Sequence, residues 1–170
     1  MPFTLAVGIP TSDEYRRLRV TAGLSPKSAE ATARGLPNTL HGVTIRDGET
    51  LMAMGRIVGD GGCFFQLVDI AVDPRAQGQG LGKRIMAALT EQLRQTAPEG
   101  AYVSLIADGD ARHLYAQFDF APNAPASIGM VLDLGVRDGS RERRRNRYIS
   151  TFPVMDQCSG GPKEPLTTCT

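Results

Sequence analysis

An α/β domain, in which an antiparallel meander feeds a strand–glycine turn–helix unit, is what the punctuation of this chain predicts. Three observations carry the prediction. Turn signals at Asp47-Gly48 and Gly59–Gly62 cut the stretch from residue 40 to residue 72 into three successive strand-like runs. Residues 66–86, QLVDIAVDPRAQGQGLGKRIM, pass from an apolar strand pattern to a helical one across three glycines at alternate positions. Beyond them strand and helix patterns alternate. The resulting order is β, two helices, βββ, α, β, α, β over about residues 3–134. A meander of this kind is not how a doubly wound nucleotide-binding sheet begins.

The first strand spans Phe3–Gly8 and is ended by Pro10. Thr11 and Glu14 stand at capping-box spacing and start a helix that runs to about Ala22, with Gly23 as its stop. Ser25-Pro26 opens a second helix ending near Gly35. Leu40–Arg46 and Thr50–Val58 form a hairpin across Asp47-Gly48, the composition of a type I′ turn. The fourth strand is Cys63–Val72, and Asp73-Pro74 stops it. A long helix covers about Gly80–Gln95, with Leu81, Ile85, Ala88 and Leu89 on one face. Tyr102–Ala107 is the fifth strand and Ala111–Gln117 a short helix. Phe118–Ala121 and Ile128–Leu134 are the last strand candidates.

The chain of 170 residues suits one domain with a tail, divided here into 1–134 and an Arg-rich extension at 135–170. A net charge of +1 demands neither nucleic acid nor an anionic membrane, and no apolar run approaches the ~18 residues of a membrane span. The N-terminus lacks the basic segment of a secretory signal. Cys63, Cys158 and Cys169 are odd in number and widely spaced, which points to a reducing, cytoplasmic setting. With two histidines and no clustered cysteines, no metal is expected. The run Arg141–Arg147 can bind phosphates, yet no aromatic residues interleave it, which argues against nucleic acid and for a solvated tail.

The glycines at 78, 80 and 82 need a reason, since glycine costs about 1 kcal/mol against alanine in a helix. One reason is close approach of main-chain N–H groups to an anion at the positive end of a helix. The other is a tight turn, and on spacing alone the two stand level. A P-loop is excluded, because Gln77 takes its first glycine position and Arg84 stands where its hydroxyl should. A dinucleotide fingerprint is excluded as well, because its third glycine would fall on Lys83.

What remains is Arg75-x-x-Gly78-x-Gly80, between a strand and a helix. It resembles the acyl-CoA pyrophosphate loop of the GNAT superfamily of N-acetyltransferases, with the pattern Q/R-x-x-G-x-G/A. A second segment, Ala111-x-x-Leu114-Tyr115-x-x-Phe118-x-Phe120, resembles the A-x-x-L-Y-x-x-x-G-F of that family, with Asp119 in place of its glycine. Asp108 stands where many members have asparagine. The resemblance implies a mixed, mostly antiparallel sheet with the fourth and fifth strands splayed and helices on both faces. It implies acetyl-CoA as co-substrate, with its pantetheine arm along the main chain of Ile70, Ala71 and Val72. Around the pyrophosphate it implies Arg75, Gln77, Gly78, Gln79, Gly80, Leu81, Gly82 and Lys83. Lys83 and Arg84 are also free to serve only as exposed helix residues.

The same resemblance makes Tyr115 the acid that protonates the departing CoA thiolate. A phenol with pKa near ~10 stays protonated at neutral pH and can give its proton as charge builds on sulfur. Read without the family, Tyr115 is a core aromatic on an amphipathic helix. An alkyl amine is neutral in only about one part in a thousand at pH 7, worth about 4 kcal/mol, so a proton acceptor is needed. Asp69 is the best carboxylate, an acid inside an apolar strand, and is otherwise a structural residue bonding loop amides. Gln66 carries an amide and cannot act as a base, while His41 and His113 are alternatives. The expected acceptor is a small-molecule primary amine attacking the thioester directly, with Arg56 and the turn at Asp60 beside its pocket. Rival readings are a peptide or protein acceptor, and an acyl-CoA-binding sensor without turnover. A homodimer is expected from the family alone.

Overall fold

The computed structural model describes residues 3–130. The boundary drawn at 134, the distal half of the Ile128–Leu134 strand candidate and the Arg141–Arg147 run lie outside the described residues.

Five strands form one sheet in the order β1-β2-β3-β4-β5: β1 Thr4–Val7, β2 His41–Asp47, β3 Thr50–Gly59, β4 Phe64–Val72 and β5 Tyr102–Leu105. The first three pairings are antiparallel and β4–β5 is parallel. The helices are α1 Ser12–Thr21, α2 Ala29–Gly35, α3 Leu81–Thr96 and α4 Ala111–Tyr115. They flank both faces. Tyr15 and Leu18 of α1 pack with Leu36, Leu51, Met54 and Ala71 on one side. Leu81, Ile85, Met86, Leu89 and Leu93 of α3 pack on Val43, Ile45, Ala53, Ile57 and Leu67 on the other. Each such side chain contributes roughly 1.5–3 kcal/mol on burial, so α3 is the main clamp on the sheet.

Local chemistry explains most boundaries. Thr11 and Glu14 make both bonds of the capping box, the Thr11 amide reaching Glu14 Oε2 at 2.9 Å and the Glu14 amide reaching Thr11 Oγ1 at 3.3 Å. The second helix starts later than Ser25-Pro26 because Ser28 is the residue whose hydroxyl caps it, accepting from the Ala31 amide at 3.0 Å. In the first hairpin Asp47 pairs with Thr50, and Gly48 alone of the two loop residues takes positive φ, +55°. That is the type II′ pattern and not the expected I′.

The strand expected at Phe118–Ala121 does not form. Ala116–Phe118 extends α4 as a 3-10 turn, and Asp119 then takes a left-handed conformation at φ +68°, outside the extended region of a regular strand. Ile128–Met130 are likewise outside any strand.

Two features of β4 shape the site. Its pairing with β5 covers only Phe64–Leu67 against Tyr102–Leu105, so one edge of Val68–Val72 has no partner strand among the described residues. It also carries a bulge. Arg56 pairs with Val68 and Met54 with Ala71, so Asp69 and Ile70 together oppose Gly55. Asp69 sits there at φ +59°. Gly55 is required by space, since a Cβ would lie 2.5 Å from Ile85 Cγ2 and 2.8 Å from Ile70 Cδ1.

Candidate active site

The site begins where β4 ends. Asp73 has a side chain 0% exposed, and its amide is tied to the Met52 carbonyl of β3 at 2.7 Å. Its carboxylate caps the 3-10 turn Pro74–Ala76 by accepting the Arg75 amide. Arg75 hydrogen-bonding holds that carboxyl down at about 2, below its usual 3.8, in spite of burial. The chain then reaches Gly78 at φ +76° and Gly80 at φ +75°, the latter as N-cap of α3. A Cβ would meet nothing within 4 Å at either, so both glycines are needed for conformation and not for space.

The consequence is a row of unused donors. The first helical bond of α3 runs from the Arg84 amide to the Gly80 carbonyl at 3.1 Å, and Gly80 offers no side-chain cap. The amides of residues 78–83 reach no acceptor in the described chain. All but Gln79 of these residues line a cleft of about 190 Å³, together with Val72, Ala76, Gln77 and Leu114. Unsatisfied N–H groups at a helix start, with the dipole behind them, are chemistry for an anion. Gly82 closes the packing, its missing Cβ falling 3.2 Å from Leu114 Cδ2.

Tyr115 ends α4 and is 8% exposed, packed in the α3-side core. Its hydroxyl makes no hydrogen bond to a described residue, yet it is not sealed from the surface. Burial raises its pKa above the ordinary 10.0, helped by the charge of Asp108. The group therefore stays a phenol across the neutral range.

The acetyltransferase (GNAT) domain profile matches residues 38–122, half of the chain. A probable acetyltransferase of unknown function from meticillin-resistant Staphylococcus aureus is 45% identical, covers 78% of this chain and 99% of its own, and superposes at a TM-score of 0.75. The chain belongs to the GNAT acetyltransferase family. An uncharacterised N-acetyltransferase, ycf52, of Porphyra purpurea is 32% identical over 80 residues, 47% of this chain. That match spans only 45% of the Porphyra protein. The ribosomal-protein-S18-alanine N-acetyltransferase of Escherichia coli shares the fold at 22% identity and a TM-score of 0.55, over 69% of this chain and 76% of its own.

In this GNAT domain Val72, Gln77, Gly78, Gly80, Leu81, Gly82 and Lys83 come together at the cleft. Ile70, Ala71, Arg75 and Gln79 do not line it. Ile70 packs toward α3 and Ala71 toward α1, so only their main chain is oriented along the open edge of β4. The Arg75 side chain turns back onto Asp73, and that of Arg84 reaches the Phe3 carbonyl at 3.2 Å, leaving Lys83 as the cation beside the cleft. Asp69 finds company that the strand pattern did not announce. Arg19 donates to Oδ1, while Oδ2 accepts from Arg56 Nε at 2.7 Å and Tyr15 Oη at 3.0 Å. Both oxygens of this carboxylate are therefore engaged by donors within the fold. His41 is partly buried, which lowers its pKa, and His113 is exposed. Among the described residues no helix is long and apolar enough to cross a membrane, and no group of three His, Cys, Asp or Glu side chains could hold a metal.

Proposed function

We propose that the chain transfers an acetyl group from acetyl-CoA to the primary amine of a small molecule by direct attack. The observation that carries the donor half is the row of unused amides at 78 and 80–83 beside the cleft. These groups hold the pyrophosphate, and Lys83 adds charge beside it. The edge of Ile70–Val72, unpaired among the described residues, offers main-chain groups to the pantetheine arm, as an added strand would be bound. Acetyl-CoA supplies the activated acyl group. The amine nitrogen bonds to the thioester carbonyl carbon, the C–S bond breaks, and Tyr115 gives its proton to the leaving sulfur. The proton lost by the amine passes to water, and solvent reprotonates Tyr115. Asp69 contributes by holding Arg19 and Arg56 in place, and not as the base for which its position in the strand argued.

The test is an acceptor screen with detection of free thiol, run with amines, amino acids, amino sugars, polyamines and short peptides. Acetyl-CoA-dependent thiol release with small amines supports the reading. Release with peptides alone moves the acceptor to proteins. Acetyl-CoA binding without release on any acceptor makes the chain a sensor.

A further inference from the structure

Tyr15 and Arg19 of α1, Arg56 of β3 and Asp69 of β4 form one polar knot on the α1 face of the sheet. The Tyr15 ring lies 5.6 Å from Arg19 Cζ and 5.4 Å from Arg56 Cζ. The side chains of Arg19, Arg56 and Asp69 are 8%, 11% and 6% exposed. The charges do not balance. Among the described residues two guanidiniums meet one carboxylate. The other partners are neutral: the Ser25 carbonyl accepts from Arg19 Nε at 2.8 Å, and the Thr39 hydroxyl from Arg56 Nη1 at 2.7 Å. Tyr15 supplies no hidden anion, because burial, and after it the charge of Asp69, raises its pKa above 10.0.

An excess charge this far out of water is costly unless something pairs with it. Arg19 Nη2 donates to no described residue and is not sealed from the surface. The knot is also strained into place. The left-handed Asp69 costs about 1–3 kcal/mol, a cost that persists where surrounding contacts over-determine it, as at ligand sites. Asp69 stands three residues before the cleft residue Val72, roughly 10 Å along β4, on the stretch that β5 leaves unpaired.

We infer that this excess positive charge receives an anionic group carried by the acceptor, so that the acceptor is an amine bearing a carboxylate or a phosphate. The inference rests on the acetyl-transfer reading above and narrows its acceptor. It is tested by thiol release with matched pairs: glycine, β-alanine and 4-aminobutanoate against their primary amides, and glucosamine 6-phosphate against glucosamine. The anionic member of at least one pair is expected to show kcat/KM higher by roughly ten-fold or more. The two arms tell carboxylate from phosphate. Arg19→Gln should bring that ratio toward one, and Arg19→Lys, which keeps the charge, should restore most of it. Equal rates within every pair, or a preference that survives Arg19→Gln, would overturn the inference. If Arg19→Gln does not fold, the wild-type ratios decide it. If no amine releases thiol, the transfer reading for small amines fails, and calorimetric titration with glutamate and with inorganic phosphate decides the anion site separately. Binding heat supports the site, and its absence for both overturns it.

Discussion

Asp73 Oδ1 accepts both the main-chain amide of Arg75, at 3.0 Å, and its Nε, at 2.9 Å, while Oδ2 accepts Nη2 at 2.8 Å. The acid that ends β4 thus shapes the loop that follows and occupies its arginine, whose side chain is 67% exposed on its outer side. Asp73→Ala should lower Tm by about 5 °C and raise KM for acetyl-CoA, with kcat less affected. Thermal melts with and without acetyl-CoA check this. A variant with unchanged KM would show that the loop holds its shape without Asp73.

Tyr115→Phe should reduce kcat by about a hundred-fold and leave the Kd for acetyl-CoA within about two-fold. A general acid works only while protonated, so activity falls as pH rises through its pKa. Burial places that pKa above 10.0, so the wild-type rate should hold to higher pH than an ordinary tyrosine allows. Full activity of the variant across the pH range would remove Tyr115 from the chemistry.

Gly80 separates conformation from charge. Alanine there meets open space but must take a left-handed φ of +75°, at about 1–2 kcal/mol. Gly80→Ala should therefore weaken acetyl-CoA by about thirty-fold at most, whereas Gly80→Glu puts a like charge among the amides and should abolish binding. Equal losses, measured by calorimetry, would mean that the amides do not hold the pyrophosphate.

Acid stability should track Glu14. Arg46 donates to both its oxygens, at 2.7 and 3.1 Å, and holds its carboxyl at about 2 against an ordinary 4.5. A folded-state pKa lowered in this way stabilises fully above pH 4.5, and the contribution is lost as pH falls toward 2. Asp73 acts with the same sign, from 3.8 downward. Glu14→Gln should therefore flatten the stability profile between about pH 4.5 and 2, read from urea unfolding at a series of pH values. An unchanged slope would assign the acid sensitivity elsewhere.

The cleft was legible because its determinants are local. Glycines at 78 and 80 that must take positive φ, and a helix start without a capping side chain, are written within a few residues. Thr11 and Glu14 were legible for the same reason. Asp69 was visible as an acid in an apolar strand, but its partners Tyr15, Arg19 and Arg56 lie 54, 50 and 13 residues away, and no local pattern joins them. Only the sheet does. The link from Asp73 to Arg75 was within reach, since an acid two residues before an amide in a proline turn is an Asx-turn signal. Phe118–Ala121 misled because Phe118 and Phe120 pack, partly buried, against the core from a turn, a burial that alternation cannot distinguish from a strand.

The half-open edge of β4 has a consequence for handling the protein. A row of main-chain donors and acceptors without a partner strand among the described residues is a template on which another chain can add itself. In the proposed mode of binding acetyl-CoA fills that row, and the template is gone. Preparations free of coenzyme should therefore self-associate on concentration, and those saturated with it should remain dispersed.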